Sequence, residues 1–188
     1  MRIALLLGIV TFLLAALLFY LSTADRIAVH GATFVYAAVA RSAFYAGFAV
    51  ASCTYAIRCG GAPERIVGIV ILASVVADPL LHLVLEPRFH AVDPTHLIVD
   101  LVRFAAFVAV ALRASRYWPI WLASFETLAL GAHAMRAMEV AIHPVAYGAM
   151  SAMWSYGMLA LLIFATRFHR SLIVRGVNRR SWSDFSPR

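Results

Sequence analysis

The chain has 188 residues, 63% of them hydrophobic and only 13% charged, with a net charge of +7. A soluble domain carries about 25% charged residues, so this is membrane composition; at roughly 20 apolar residues per span, the length leaves room for six helices and short loops but no separate soluble domain. Every basic residue is arginine. The absence of lysine excludes Schiff-base chemistry, retinal and pyridoxal phosphate included, and arginines gathered near span ends and in the tail speak against nucleic acid as a partner.

Span one is predicted over Ile3–Leu21, between Arg2 and Asp25-Arg26. Ser22-Thr23-Ala24 resembles a signal-peptidase site, but the apolar run exceeds the 7–15 residues usual for a signal peptide, and a retained anchor is expected. Span two covers about Thr33–Ile57 and is interrupted by Arg41. Span three runs about Ile66–Leu85, opened by Pro63 and closed by Glu86-Pro87. Span four covers about His96–Leu112 and follows Asp93-Pro94, a cap and a first-turn proline. Span five runs about Tyr117–Ala137 from Trp118-Pro119, and span six about Pro144–Thr166. The expected fold is therefore an all-α polytopic bundle (1–166) followed by a basic tail (167–188).

Arginine counting orients it. With the N-terminus inside, one side holds Arg2, Arg58, Arg65, Arg113, Arg116 and six tail arginines, while the other holds Arg26, Arg88 and Arg136. This obeys the positive-inside rule and predicts six spans in a bacterial inner membrane, with both termini in the cytoplasm. The tail is expected against anionic lipid headgroups, at about 1 kcal/mol per arginine near the surface, or else serves only to fix topology. Cys53 and Cys59, roughly 9 Å apart along one helix, cannot bridge and read as plain small residues. Ala43, Gly47 and Ala51 on span two, and Gly148, Ser151, Ala152 and Ser155 on span six, form small-residue stripes that permit close helix approach.

The ionisable residues inside the spans are Arg41, Asp78, His82, Asp100, Arg103, Glu126 and His133, each costing at least ~2.5 kcal/mol at a helix centre. Their positions put Arg41, Asp78, Asp100, Arg103 and His133 in one layer of the outer half, with Glu126 nearer the midplane. Asp78, His82 and Glu86 share a stripe of span three; His96, Asp100 and Arg103 share a face of span four; Glu126 and His133 lie two turns apart on span five. Pro79 frees a backbone carbonyl one turn earlier. Asp78, His82, Arg103 and His133 are expected to converge, with Arg103 as the charge partner of Asp78, ahead of Asp100 and Arg41.

Several chemistries suit such a layer. A proton relay would use Asp78, His82 and Glu126; a metal could draw on Asp78, His82, His96 and His133; a haem could take His82 and His133. A quinone or lipid pocket is a fourth, and a purely structural ion network stands against them all. No nucleophile motif, phosphate loop or HExxH is present. Asp78, His82 and His96 are similar in spacing to the metal motif in the C subunit of copper membrane monooxygenases, whose spacer is one residue shorter and whose remaining pattern this chain does not follow.

Ala111-Leu112-Arg113, Arg116-Tyr117-Trp118-Pro119-Ile120-Trp121, His133, Val145-Ala146-Tyr147 and Trp154-Ser155-Tyr156 resemble a group of small multi-span membrane proteins of alphaproteobacteria with no assigned activity. The resemblance covers Leu97 to Arg170; it implies membrane location and fold and transfers no site residue. Two functional classes follow: a sensor, transporter or redox protein with a small ligand, metal or proton in the polar layer, or an accessory subunit packed against a membrane-protein partner or a second copy of itself.

Overall fold

The computed structural model describes residues 32–84, 94–138, 144–177 and 180–183. Expected span one, the cleavage question at Asp25, and His30, Glu86, His90 and His143 lie outside them. The described residues form five α-helices: α1 (Ala32–Cys59), α2 (Ala62–Val84), α3 (Pro94–Arg113), α4 (Trp118–Ala137) and α5 (Pro144–Val174). Each coincides with one of expected spans two to six.

Helices α2 to α5 carry proline in their first turns, which can spare a backbone donor. Pro94 and Pro144 are first residues, Pro63 and Pro119 second, where a missing N–H costs nothing. Glu64 adds an acidic residue to the first turn of α2, matched to the helix dipole. Pro79 sits inside α2, which continues past it to Val84. The largest departure from expectation is at the C-terminal end. Helix α5 does not stop at Thr166 but runs to Val174, about two more turns, so His169 and Arg170 are helical rather than part of a tail. It ends where Gly176 takes φ 72°. Gly176 N then donates to Ile173 O at 2.9 Å and Val177 N to Leu172 O at 2.9 Å, the paired bonds of a Schellman cap.

Helices α1 and α2 form a hairpin through Gly60-Gly61, α3 and α4 a second through residues 114–117, and α5 packs against α4, α1 and α2. The core between them is Ala49, Cys53 and Ala56 of α1, Val67 and Ile71 of α2, Phe107 and Val110 of α3, Leu122 of α4, and Met158, Leu159 and Leu162 of α5. The small-residue stripe of α1 is thus displaced from the expected one. Ala49, Ser52, Cys53 and Ala56 are buried whereas Ala51 is exposed, and on that buried face the missing side chain of Gly68 lets the Cys53 carbonyl approach closely. Both cysteines are free thiols.

Residues 180–183 close one end of the bundle. Ser115 N donates to Ser181 O, Ser183 N to Arg113 O at 2.9 Å, and Ser183 Oγ to Arg113 O at 2.8 Å. Ala114 and Trp182 pair as an isolated antiparallel bridge, with Trp182 packed on the core. This strap serves a carbonyl that the end of α3 would otherwise leave without a partner.

Gly60 and Gly131 offer a contrasted test. A Cβ on Gly60 would fall 2.5 Å from both the Ala56 carbonyl oxygen and Glu64 Cβ, while one on Gly131 meets nothing within 4 Å. Gly60→Ala should lower stability by about 1–3 kcal/mol. Gly131→Ala should leave it unchanged or raise it by up to about 1 kcal/mol. Thermal unfolding of the detergent-solubilised protein reads both.

Candidate functional site

The α3–α4 hairpin builds the principal polar cluster. Arg103 and Glu126 lie at similar distances from the corner at residues 114–117, as do Asp100 and His133, so an antiparallel pair of helices brings each couple level. Arg103 Nε donates to Glu126 Oε1 and Oε2 at 3.1 and 3.2 Å, and its Nη2 to Glu126 Oε1 at 2.8 Å. Nη2 also donates to Asp100 Oδ1 at 3.0 Å, a contact between residues three apart on one helix. His133 Nε2 lies 3.1 Å from Asp100 Oδ2; a carboxylate only accepts, so that nitrogen carries the proton. Glu126 is fully enclosed at 0% exposure, His133 is at 3% and Arg103 at 8%.

Two further groups border the cluster. The Tyr45 hydroxyl from α1 lies near Ser155 of α5 and within electrostatic range of Arg103 and Glu126. Its ring meets Tyr156 edge-on, with centroids 5.4 Å apart. One turn from Asp100, His96 Nδ1 approaches Asp78 Oδ1 at 2.8 Å across the α2–α3 interface.

These contacts revise the expected pairing. Arg103 serves Glu126 and Asp100, and Asp78 is met instead by His96. The reason is helix register: His96 and Arg103 are separated by roughly 10 Å along α3, and Asp78 stands level with the former. Arg41, a proposed alternative partner, is exposed on α1. Helix α2 carries His82, whose side chain lies outside the described residues, as does Glu86. Among the described residues no three histidine, cysteine, aspartate or glutamate side chains gather closely enough to hold a metal ion; the candidate set Asp78, His82, His96 and His133 is represented there by the Asp78–His96 pair and a separate His133.

A second buried ionic group was missed by reading the sequence. Glu64 of α2, Arg116 of the α3–α4 corner and His169 of α5 join at the opposite end of the bundle, where Arg116 bonds both of the others. In the sequence Arg116 reads only as a topology marker and His169 as part of the tail. The available signal was Glu64 itself, an acid in a first turn beside Gly60-Gly61 and among arginines.

No protein-family model matches the chain, and neither the curated proteins nor the solved structures include a match to it. The chemistry must therefore be argued from the cluster. Two carboxylates share one guanidinium, so the set carries a net charge of −1 while His133 is neutral and 0 once it gains a proton.

Removing one member should expose how strongly the set is coupled. Glu126→Leu leaves Arg103 buried with Asp100 as its one remaining carboxylate and should lower stability by about 3–5 kcal/mol. The double variant Arg103→Met/Glu126→Leu should lose less than the two single changes combined, by about 0.5–3 kcal/mol. A double-mutant cycle on unfolding in detergent measures this.

Proposed function

We propose that this chain is a multi-pass protein of a bacterial inner membrane, with six spans and both termini in the cytoplasm, whose buried polar layer binds and releases a proton. Two stretches, Pro94–Arg113 and Met153–Val174, are each long and apolar enough to cross a membrane, and only 28% of each is buried within the bundle. A soluble core helix of that hydropathy would be mostly enclosed. Phe44, Val102, Leu112, Trp121 and Phe164 are instead turned outward, each more than 60% exposed, a surface that lipid would cover. The exposed arginines Arg58, Arg65, Arg113, Arg167, Arg170 and Arg175 collect at the end of the bundle closed by the strap. That end is read as cytoplasmic and as the one meeting anionic headgroups.

The observation that carries the proton reading is the sharing of Arg103 by Glu126 and Asp100, with His133 on the second carboxylate. In a low-dielectric interior an uncompensated negative charge is costly. A proton held between His133 and the carboxylates removes it, and carboxylate–histidine chains suit proton movement. A sensor, a transporter or a redox protein could use such a site.

One feature of the cluster favours the alternative, an accessory subunit with a structural ion network. Its charged contacts are satisfied within a single hairpin, as a clamp between α3 and α4 would be. Proton uptake by the purified protein, followed with a pH-sensitive dye through a pH jump, separates the two. A proton site takes up roughly one proton per chain that is lost in Glu126→Gln/His133→Gln. Equal uptake by the variant and the parent chain would remove the proton reading and favour the accessory role.

Topology is tested separately. A reporter fused after Arg188 should report cytoplasm, and one inserted between residues 86 and 95 should report the periplasm. Both on the same side would rule out six spans.

A further inference from the structure

At the arginine-rich end, Glu64 is fully buried, at 0% exposure. Arg116 Nη1 donates to Glu64 Oε1, and Arg116 Nη2 lies 3.0 Å from His169 Nδ1. A guanidinium has no acceptor. His169 Nδ1 must therefore offer its lone pair, which makes the ring neutral with its proton on Nε2. Glu64 Oε2 and Arg116 Nε have no hydrogen-bond partner among the described residues. A Cβ on Gly61 would stand 3.0 Å from Glu64 Oε2, 3.1 Å from His169 Nε2 and 3.2 Å from Arg116 Nη2. The absence of a side chain at Gly61 is what lets three groups from three parts of the chain close over one point.

We propose that Glu64, Arg116 and His169 form a second proton-binding site, distinct from the Arg103 cluster, whose occupation at His169 releases α5 from the α3–α4 corner. A protonated imidazole has two donors and no acceptor, so it cannot keep the bond from Arg116. The two cations then face each other, and Glu64 Oε2, which has no hydrogen-bond partner among the described residues and lies on the same side of Gly61 as His169 Nε2, is the carboxylate oxygen the imidazolium turns to. The surroundings make that rearrangement the main response. The charged groups acting on His169 are Arg116 of the corner and Glu64 and Arg65 of α2, and Arg170 follows it on α5. Arg65 Nε is engaged with the Gly60 carbonyl at 3.0 Å, and Glu64 is the one acid at this end among the described residues. The apolar layer of Phe107, Leu122, Leu159 and Leu162 separates this site from Arg103, so each takes its proton independently.

Cys59 is a built-in reporter. Arg170 Nη1, next in sequence to His169, lies 3.9 Å from Cys59 Sγ, whereas Cys53 is buried and silent. The test is the rate of Cys59 labelling by a polar maleimide in the full chain in nanodiscs, from about pH 8 to about pH 4.5, because partial burial and the neighbouring Arg116 hold His169 below the ordinary imidazole range. His169→Gln is the reference, because its amide oxygen can accept from Arg116 but does not titrate. Dividing the parent rate by the variant rate cancels the thiol's own pH dependence. The ratio should rise severalfold as pH falls, and a ratio that stays flat overturns the proposal. Nitrogen NMR of histidine-labelled parent protein checks the starting state without any variant. His169 should carry its proton on Nε2 at about pH 8, and a proton on Nδ1 there would overturn the proposal equally. Glu126→Gln should leave the labelling ratio unchanged, so failure of the proton reading at Arg103 would not touch this site.

Discussion

A guanidinium does not give up its proton inside a protein, so whatever surrounds Arg103 must bring negative charge to it. That constraint organises the α3–α4 hairpin. Glu126 supplies a carboxylate in bidentate contact and Asp100 a second. Because Arg103 draws on only one oxygen of Asp100, the other remains to hold His133. A slide of one residue between the helices would move each partner by about 1.5 Å along the axis and turn it by about 100°, which breaks every one of these contacts. Apolar side chains tolerate such a slip far better. The ion set therefore specifies register, while Phe107, Val110 and Leu122 supply the packing.

How much of this was legible in the sequence follows from chain geometry. Helix positions read well, since apolar runs bounded by prolines such as Pro94, Pro119 and Pro144 leave few choices. The depth of Asp100, Arg103 and His133 in one layer was also readable, but Glu126 reads as nearer the midplane, and its pairing with Arg103 follows from the register of the α3–α4 hairpin, which helix depth alone does not give. The partner of Asp78 was not readable. It depends on how α2 lies against α3, and the segment between them, residues 85–93, gives no short corner from which to count. The end of α5 was misjudged for a different reason. Arginine and histidine after Thr166 read as the end of a span, yet a helix needs no apolar surroundings to continue, and only the left-handed Gly176 stops it.

The two ionic groups share their chemistry and differ in their charge. Glu126, Asp100, Arg103 and neutral His133 carry one negative charge too many; Glu64, Arg116 and neutral His169 balance. In the proposed reading the first set gains a proton to become neutral, and the second becomes charged by gaining one. The same three kinds of side chain would thus favour opposite protonation states at the two ends of one bundle, with an apolar layer between them.

The strap at residues 180–183 also bears on the order of assembly. Its contacts with Arg113 and Ser115 join positions about 65–70 residues apart, whereas each hairpin closes through a corner of a few residues. Loop closure over such a distance is slow relative to local pairing, so each hairpin would form before the strap docks. Until then the end of α3 lacks a partner for the Arg113 carbonyl and Trp182 stays off the core. The strap thus acts as a latch set after the α3–α4 hairpin it fastens, and a chain cut before Arg180 would retain its helices while leaving that end of the bundle unfastened.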